Sequence, residues 1–154
     1  MKITSFVTIT TAFGYIAASG KIDLLILPVL FGVLLLAFGS AALNHYQEKD
    51  FDSKMNRTKS RPIPSGRISP NDALKISLIL ILTGSVILIL WTNLLVLALG
   101  LLNLVWYNLV YTLLKRRTPF AIVPGSLVGA IPPAIGWAAA GGSLLDPQII
   151  IIAF

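Results

Sequence analysis

Long apolar segments separated by short polar connections make up this chain. A helix that crosses a membrane needs about 20 mostly apolar residues, and five segments approach or reach that length. They occupy residues 3–19, 24–43, 73–91, 94–114 and 120–140, and a sixth apolar run starts at residue 148. The pattern predicts an all-α fold: a polytopic transmembrane helical bundle with about five complete spans plus the start of a sixth, forming a single membrane domain over residues 1–154.

Both ends of the chain allow a second interpretation. Lys2 ahead of an apolar run is also how a signal peptide begins, but a lone basic residue and the later apolar segments favour a first span. The last run, residues 149–154, stops with no cap and no flanking charge, which predicts the N-terminal fragment of a longer protein. A naturally short terminus is the alternative.

Composition supports a membrane location. Hydrophobic residues make up 56% of the 154, charged residues 12%, and the mean hydropathy is +0.86. A soluble domain carries about twice that share of charge. The net charge of +6 does not indicate a nucleic-acid partner, because so apolar a chain has little solvated surface on which to spread a basic patch. The absence of cysteine excludes disulfides, thiolate metal sites and a cysteine nucleophile.

The basic residues predict the orientation in the membrane. With the N-terminus in the cytoplasm, eleven of the twelve lysines and arginines lie on the cytoplasmic side, and only Lys21 lies outside. Cytoplasmic connections of membrane proteins carry such an excess of positive charge. We therefore predict a cytoplasmic N-terminus and cytoplasmic connections after the second and fourth spans.

The polar connection at residues 44–72 is the first candidate for chemistry. Asn44, Glu48 and Asp52 are spaced four residues apart, so a helix that continues from the second span presents them on one face. An amide oxygen and two carboxylates are hard oxygen donors of the kind that suits Mg²⁺ bridged to substrate phosphates. Basic residues that could neutralise phosphate follow closely: Lys54, Arg57, Lys59 and Arg61. A solvated, charge-balanced loop that sets topology or touches anionic lipids is an equally weighted alternative.

The second candidate lies at the end of the fourth span. Tyr111 and Lys115 are four residues apart and share a helix face, next to Arg116 and Arg117. They could both face one cavity. Spacing by itself favours a different interpretation, in which the basic residues are a stop-transfer signal and the tyrosine lies at the membrane interface.

Two motifs and two longer strings of sequence resemble the UbiA family of intramembrane prenyltransferases. Asn44, Glu48 and Asp52 resemble the first acidic motif of the family, and Tyr111-x-x-x-Lys115 resembles its motif after the fourth span. Two longer strings are similar to the haem O synthase (protohaem IX farnesyltransferase) branch: EKDFDSKMNRTKSRPIPSGRISP from residue 48 and YTLLKRRTPFAIVPGSLVGAIPPAIGWAAAGG from residue 111. The resemblance covers essentially the whole chain.

The resemblance implies transfer of farnesyl from farnesyl diphosphate to the 2-vinyl group of protohaem IX, with Mg²⁺ bridging the diphosphate and haem B as a substrate. On that basis the expected metal ligands are Asn44, Glu48 and Asp52. The expected diphosphate contacts are Lys54, Arg57, Arg61 and Lys115, and the expected catalytic residues are Tyr111 and Lys115. The resemblance also implies the cell membrane as location, haem A synthase or terminal-oxidase assembly proteins as partners, and no nucleic acid.

The chain departs from the family pattern in two ways. Glu48 stands where the family usually has aspartate, and its extra methylene moves the carboxylate by about 1.5 Å. Family members have nine spans and a second acidic motif after the sixth, which this chain does not reach, so we expect the chain alone to be inactive. Two alternatives remain: another family member that prenylates an aromatic or lipid acceptor, and a non-catalytic membrane protein. The only histidine, His45, is expected at the surface or interface.

Overall fold

The computed structural model describes residues 2–115 and 117–153; for residues 2, 3 and 119 it describes the backbone. The described residues form helices joined by turns, and none of them lies in a strand. The helices are α1 (Lys2–Ser19), α2 (Ile26–Asp52), α3 (Pro70–Trp91), α4 (Leu94–Leu114), α5 (Ile122–Ala139) and α6 (Gln148–Ala153). A 3₁₀ turn, Pro119–Ala121, leads into α5. Arg116 lies outside the described residues.

Among the described residues, four helices, α2 to α5, are long and apolar enough to cross a membrane. The predicted all-α, polytopic transmembrane bundle is therefore confirmed. α1 has 18 residues, but threonines and serines lower its hydropathy. Thr8 and Thr11 donate their hydroxyl protons to carbonyl oxygens one turn earlier, which satisfies these groups inside the helix, as an apolar surrounding requires.

Glycines bring α2 and α3 into close contact. A Cβ atom at Gly84 would lie 2.8 Å from the Gly32 carbonyl oxygen, closer than real side chains approach. About two turns of α2 nearer the polar connection, the buried Ser77 hydroxyl donates to the Gly39 carbonyl oxygen at 2.8 Å. Small residues allow this approach, and in lipid the resulting van der Waals contacts replace the hydrophobic driving force.

α1 and α5 pack in the same way. A Cβ at Gly14 would overlap the Pro133 carbonyl, and one at Gly136 would overlap the Thr11 carbonyl. Pro132 and Pro133 lie inside α5 and are buried. Close helix packing thus accounts for the glycine- and proline-rich sequence of this segment.

α4 contains a wide turn. Its first part, Leu94–Val105, is α-helical, and Trp106–Tyr111 forms a π-helix before one further α-helical turn, Thr112–Leu114. The backbone N–H of Thr112 consequently bonds to the carbonyl of Tyr107, five residues earlier. Trp106 donates from Nε1 to the Pro124 carbonyl oxygen at 2.9 Å, which ties the wide turn to α5. Turns of this kind occur frequently at functional sites.

Candidate functional site at the polar end of α2 and α4

The acidic face lies on one uninterrupted helix. α2 runs for 27 residues to Asp52, well past its apolar part, so Asn44, Glu48 and Asp52 stack on successive turns. All three are turned inward: Asn44 and Asp52 are buried, and the Glu48 side chain is 12% exposed. Buried carboxylates need compensating partners, which a solvated loop would not have to provide.

Arg61 supplies one of these partners. Its Nη1 lies 2.7 Å from Asp52 Oδ2 and 3.8 Å from Glu48 Oε2, so one guanidinium serves both carboxylates. The turns after α2 direct it there, because the buried hydroxyl of Thr58 donates to the Asp52 carbonyl oxygen at 3.1 Å and folds the chain back onto the helix end.

Lys115, directly after the end of α4, supplies the other partner. Its Nζ lies 3.1 Å from Glu48 Oε1 and 5.5 Å from the centroid of the Tyr111 ring. Gly125 of α5 leaves room for that ring, since a Cβ there would lie 2.9 Å from Tyr111 Cε2. The structure thus brings Lys115 to the acidic face with Tyr111 beside it, an arrangement that a stop-transfer signal does not require.

The remaining predicted phosphate contacts lie elsewhere. Lys54 and Arg57 are exposed on the turns after α2. Within the described residues, neither forms an ion pair with an acidic side chain. Arg61 and Lys115 converge on the carboxylates, whereas Lys54 and Arg57 do not.

Sequence reasoning missed a ladder of polar contacts between α2 and α4, which we call the polar seam: Ser40–Asn108, Asn44–Thr112 and Glu48–Lys115. Asn108 Nδ2 donates to Ser40 Oγ at 2.6 Å, and Thr112 Oγ1 lies 2.9 Å from Asn44 Oδ1. Both residues of α4 are at most 2% exposed. The available signal was the presence of Asn108 and Thr112 four residues apart in an apolar span, since polar residues inside spans commonly mark functional positions.

Comparisons with known proteins establish the family of this chain. The model of the UbiA prenyltransferase family matches residues 6–154. This chain belongs to the UbiA prenyltransferase family. Among curated relatives named protoheme IX farnesyltransferase, the protein of Oleidesulfovibrio alaskensis is 33% identical over 98% of this chain and 54% of its own length. That of Geobacter sulfurreducens is 45% identical over 80% of this chain and 46% of its own length. The chain thus spans about half the length of these relatives.

Solved structures of UbiA proteins share the fold. A structure of digeranylgeranylglyceryl phosphate synthase superimposes with a TM-score of 0.82 at 27% identity, covering 96% of this chain and 51% of that one. A UbiA homologue from Aeropyrum pernix gives a TM-score of 0.70 at 23% identity, over 98% of this chain and 55% of that one. With the four apolar helices, these findings make the UbiA-family chain a multi-pass membrane protein.

An apolar cavity of about 470 Å³ opens beside the acidic face of this UbiA-family chain. Asn44, His45, Arg61 and Tyr107 line its polar part, and apolar side chains such as Val33 and Ile135 line the rest. His45, expected at the surface or interface, is partly buried and lines this cavity, and its Nδ1 is buried with no hydrogen-bond partner among the described residues. Whether His45 meets the cavity depends on how α2 packs against its neighbours, which the spacing of residues does not show.

The donor set on this face fits a magnesium ion in its chemistry. Glu48 and Asp52 offer oxygen atoms close enough to share the Arg61 nitrogen, and hard oxygen donors are what Mg²⁺ prefers. Among the described residues, no three histidine, cysteine, aspartate or glutamate side chains form a metal-holding group. Two carboxylates suit the usual coordination of Mg²⁺, which binds through one or two carboxylates and completes its coordination shell with water and phosphate oxygens.

Proposed function

We propose that this chain carries the first half of the active site of a haem O synthase. The activity is transfer of farnesyl from farnesyl diphosphate to the 2-vinyl group of protohaem IX. One observation carries the proposal: Arg61 and Lys115 reach Glu48 from different parts of the chain, and Arg61 also lines the apolar cavity beside them. The names of the curated relatives support the choice of substrates.

The reaction requires an allylic carbon to lose diphosphate, which concentrates negative charge on the leaving group. Arg61 and Lys115 supply positive charge where that group would bind, and they are held in place before the reaction by Glu48 and Asp52. Bound at Glu48 and Asp52, with Asn44 beside them, Mg²⁺ would supply further charge to the diphosphate. The apolar lining of the cavity accommodates the prenyl chain and keeps water away from the allylic carbon.

Tyr111 has two features that suit the proposed site. Its ring stacks on Tyr107 with 5.7 Å between centroids, and Lys115 lies over it. Tyr107 lines the cavity, so the pair of rings connects the cavity to the basic end of the site. We assign Tyr111 and Lys115 to the leaving-group side of the reaction.

The proposal includes location and orientation. A haem O synthase of this kind lies in the cell membrane with its N-terminus and both polar connections in the cytoplasm, where eleven of the twelve basic residues would then be. Haem A synthase and terminal-oxidase assembly proteins are the partners that such a product would serve, and the resemblance to the haem O synthase branch supports them.

A second candidate is prenyl transfer to a lipid acceptor. The structural likeness to digeranylgeranylglyceryl phosphate synthase, with a TM-score of 0.82 at 27% identity, favours it. The relatives named protoheme IX farnesyltransferase reach 45% identity, and this higher similarity ranks haem above a lipid acceptor.

In the test, the protein is expressed from its complete reading frame. Membranes that contain it are then supplied with one substrate pair at a time. One pair is farnesyl diphosphate with haem B, and the other is geranylgeranyl diphosphate with geranylgeranylglyceryl phosphate. Mass spectrometry of the extracts should detect farnesylated haem from the first pair. Product from the second pair only would replace the proposal with the lipid acceptor, and product from neither would refute prenyl transfer.

The matched control for this test compares two aspartates of the same helix. Asp52→Asn removes a buried carboxylate bonded to Arg61, whereas Asp50→Asn changes an exposed one that lies 3.9 Å from Lys49. We expect Asp52→Asn to abolish product and Asp50→Asn to leave it within about twofold, because exposed ion pairs contribute little. Equal activity of the two variants would remove Asp52 from the proposed site.

A further inference from the structure

The side chain of Asn44 is held at both ends by the protein. Its Nδ2 donates to Glu48 Oε2 at 2.9 Å, and its Oδ1 lies 2.9 Å from Thr112 Oγ1. Asn44 is 7% exposed and Thr112 1% exposed, so water has little access to either. One amide therefore connects a hydroxyl of α4 to a carboxylate of α2.

The chemistry of the three groups determines which way the amide faces. If the amide were reversed, its oxygen would point at the Glu48 carboxylate, and two acceptors would face each other. The carboxylate accepts only, so the NH₂ group must point toward Glu48 and the oxygen toward Thr112. The orientation of the Asn44 amide therefore follows from which of the neighbouring groups donate and which accept hydrogen bonds.

The proton of the Thr112 hydroxyl has two possible acceptors. The carbonyl oxygen of Tyr107 lies 2.8 Å from Thr112 Oγ1, but it accepts the backbone N–H of Thr112 across the wide turn and so keeps a donor wherever the hydroxyl proton points. The Asn44 oxygen would be left buried without a donor if the proton pointed elsewhere, and such a group costs about 1–3 kcal/mol. The hydroxyl therefore donates to Asn44.

We propose that Thr112 is a positioning residue for Glu48, acting through the Asn44 amide. With the hydroxyl in place, Asn44 cannot rotate, and its NH₂ group holds Glu48 Oε2 on the side of Arg61 while Oε1 faces Lys115. The wide turn Trp106–Tyr111 sets the direction of Thr112. This inference rests on the proposed function, because it gives the held carboxylate the task of presenting oxygen to the metal and the diphosphate-binding cations.

The test measures divalent metal binding directly, without turnover. Mn²⁺ replaces Mg²⁺ as the probe, and its binding to the purified protein with inorganic diphosphate is followed by electron paramagnetic resonance. Thr112→Val keeps the shape of the side chain and removes the hydroxyl, so we expect the dissociation constant for Mn²⁺ to rise about three- to tenfold, the effect of one lost hydrogen bond. Thr112→Ser retains the hydroxyl and should bind Mn²⁺ as the unsubstituted protein does.

Ser77→Ala is the matched control. It also removes a fully buried hydroxyl that bonds across to α2, at Gly39, but on the α3 side and away from Glu48. It should lower thermal stability to an extent similar to Thr112→Val and leave Mn²⁺ binding unchanged. If Thr112→Val does not accumulate in membranes, Thr112→Ala makes the same comparison.

The outcomes separate the two proposals. If Thr112→Val and Ser77→Ala both bind Mn²⁺ as tightly as the unsubstituted protein does, the role of Thr112 is overturned. The proposed function is then unaffected. No Mn²⁺ binding by the unsubstituted protein would overturn the metal site of the proposed function, and this inference with it. Weakened binding in Thr112→Ser as well would also contradict the inference, since the hydroxyl would then not be the group that matters.

Discussion

Two pairs of basic residues look alike in the sequence and differ in the folded chain. Lys54 and Arg57 follow the acidic motif directly, yet both are exposed on the turns after α2. Arg61 and Lys115 are 54 positions apart in the chain, and their side chains, 32% and 27% exposed, meet at Glu48. Proximity in sequence to the carboxylates is thus a poor guide to which cations serve them.

The difference has two causes, one in the turns after α2 and one in the packing of α4 against α2. Arg61 is returned to α2 by consecutive turns: the Thr58 backbone N–H bonds to the Met55 carbonyl, and that of Arg61 to the Thr58 carbonyl. Lys115 reaches Glu48 because α4 packs along α2 through the polar seam. Lys54 lies just past the helix end, where the chain has not yet turned back.

The largest expected effect separates Arg61 from Arg57. Arg61→Gln leaves Asp52 buried without its cation, and breaking a buried pair costs about 3–5 kcal/mol. We expect prenyl transfer to fall about a hundredfold or more, whereas Arg57→Gln should stay within about twofold. Initial rates at matched amounts of protein in membranes measure both. Similar losses in the two variants would mean that the folded loop does not distinguish them.

The next effect concerns Lys115. Its contact with Glu48 is charge-assisted, and losing one such contact costs about 1.5–3 kcal/mol, which is roughly ten- to a hundredfold in kcat/KM for farnesyl diphosphate. Arg117→Gln changes an exposed residue of the same cluster and should have little effect. Kinetics at fixed haem and varied farnesyl diphosphate test this. Equal, small effects of Lys115→Gln and Arg117→Gln would mean that the basic residues after α4 only set the topology.

A smaller effect is the interaction between Arg61 and Lys115. Because both cations contact Glu48, the losses in Arg61→Gln and Lys115→Gln should not add in the double variant. We expect an interaction energy of about 0.5–3 kcal/mol in a double-mutant cycle on kcat/KM. Additive losses would show that the two cations act on the site independently.

The smallest effect is expected from the exposed pair. The double variant Lys54→Gln, Arg57→Gln should transfer farnesyl within about threefold of the unsubstituted protein, since single exposed charges contribute little. A large loss of activity would restore Lys54 or Arg57 to the site.

Reporter fusions at Ser65 and Thr118 should indicate the cytoplasm and a fusion at Gly142 the outside. The same pattern is expected in the double variant, because nine cytoplasmic basic residues would remain. A reversed reporter pattern would contradict the proposed orientation.

Hydrophobic pattern predicted much of the fold because lipid leaves few choices. A long apolar segment must satisfy its backbone internally, so it forms a helix, and α2 to α5 do so. The four-residue spacing of Asn44, Glu48 and Asp52 likewise predicted one helical face, since the helix continues through them. The limits of the individual spans and the single domain remain predictions.

Other features required the tertiary structure. The wide turn at Trp106–Tyr111 leaves no periodic signal in the sequence, and it sets how Thr112 meets Asn44. His45 lines the cavity, which its spacing does not predict: the 100° between neighbours on a helix says where a residue lies relative to Asn44, and not where the next helix packs.

The sequence by itself determined the helical class, the acidic face and the basic clusters, because these depend on local periodicity and on charge. Only the tertiary structure decided which cations reach the carboxylates, and it joined α2 to α4 through Ser40, Asn108 and Thr112. Such contacts connect residues 68 positions apart. They arise from how two helices pack and where one turn widens, and neither is encoded in the spacing of residues along a single helix.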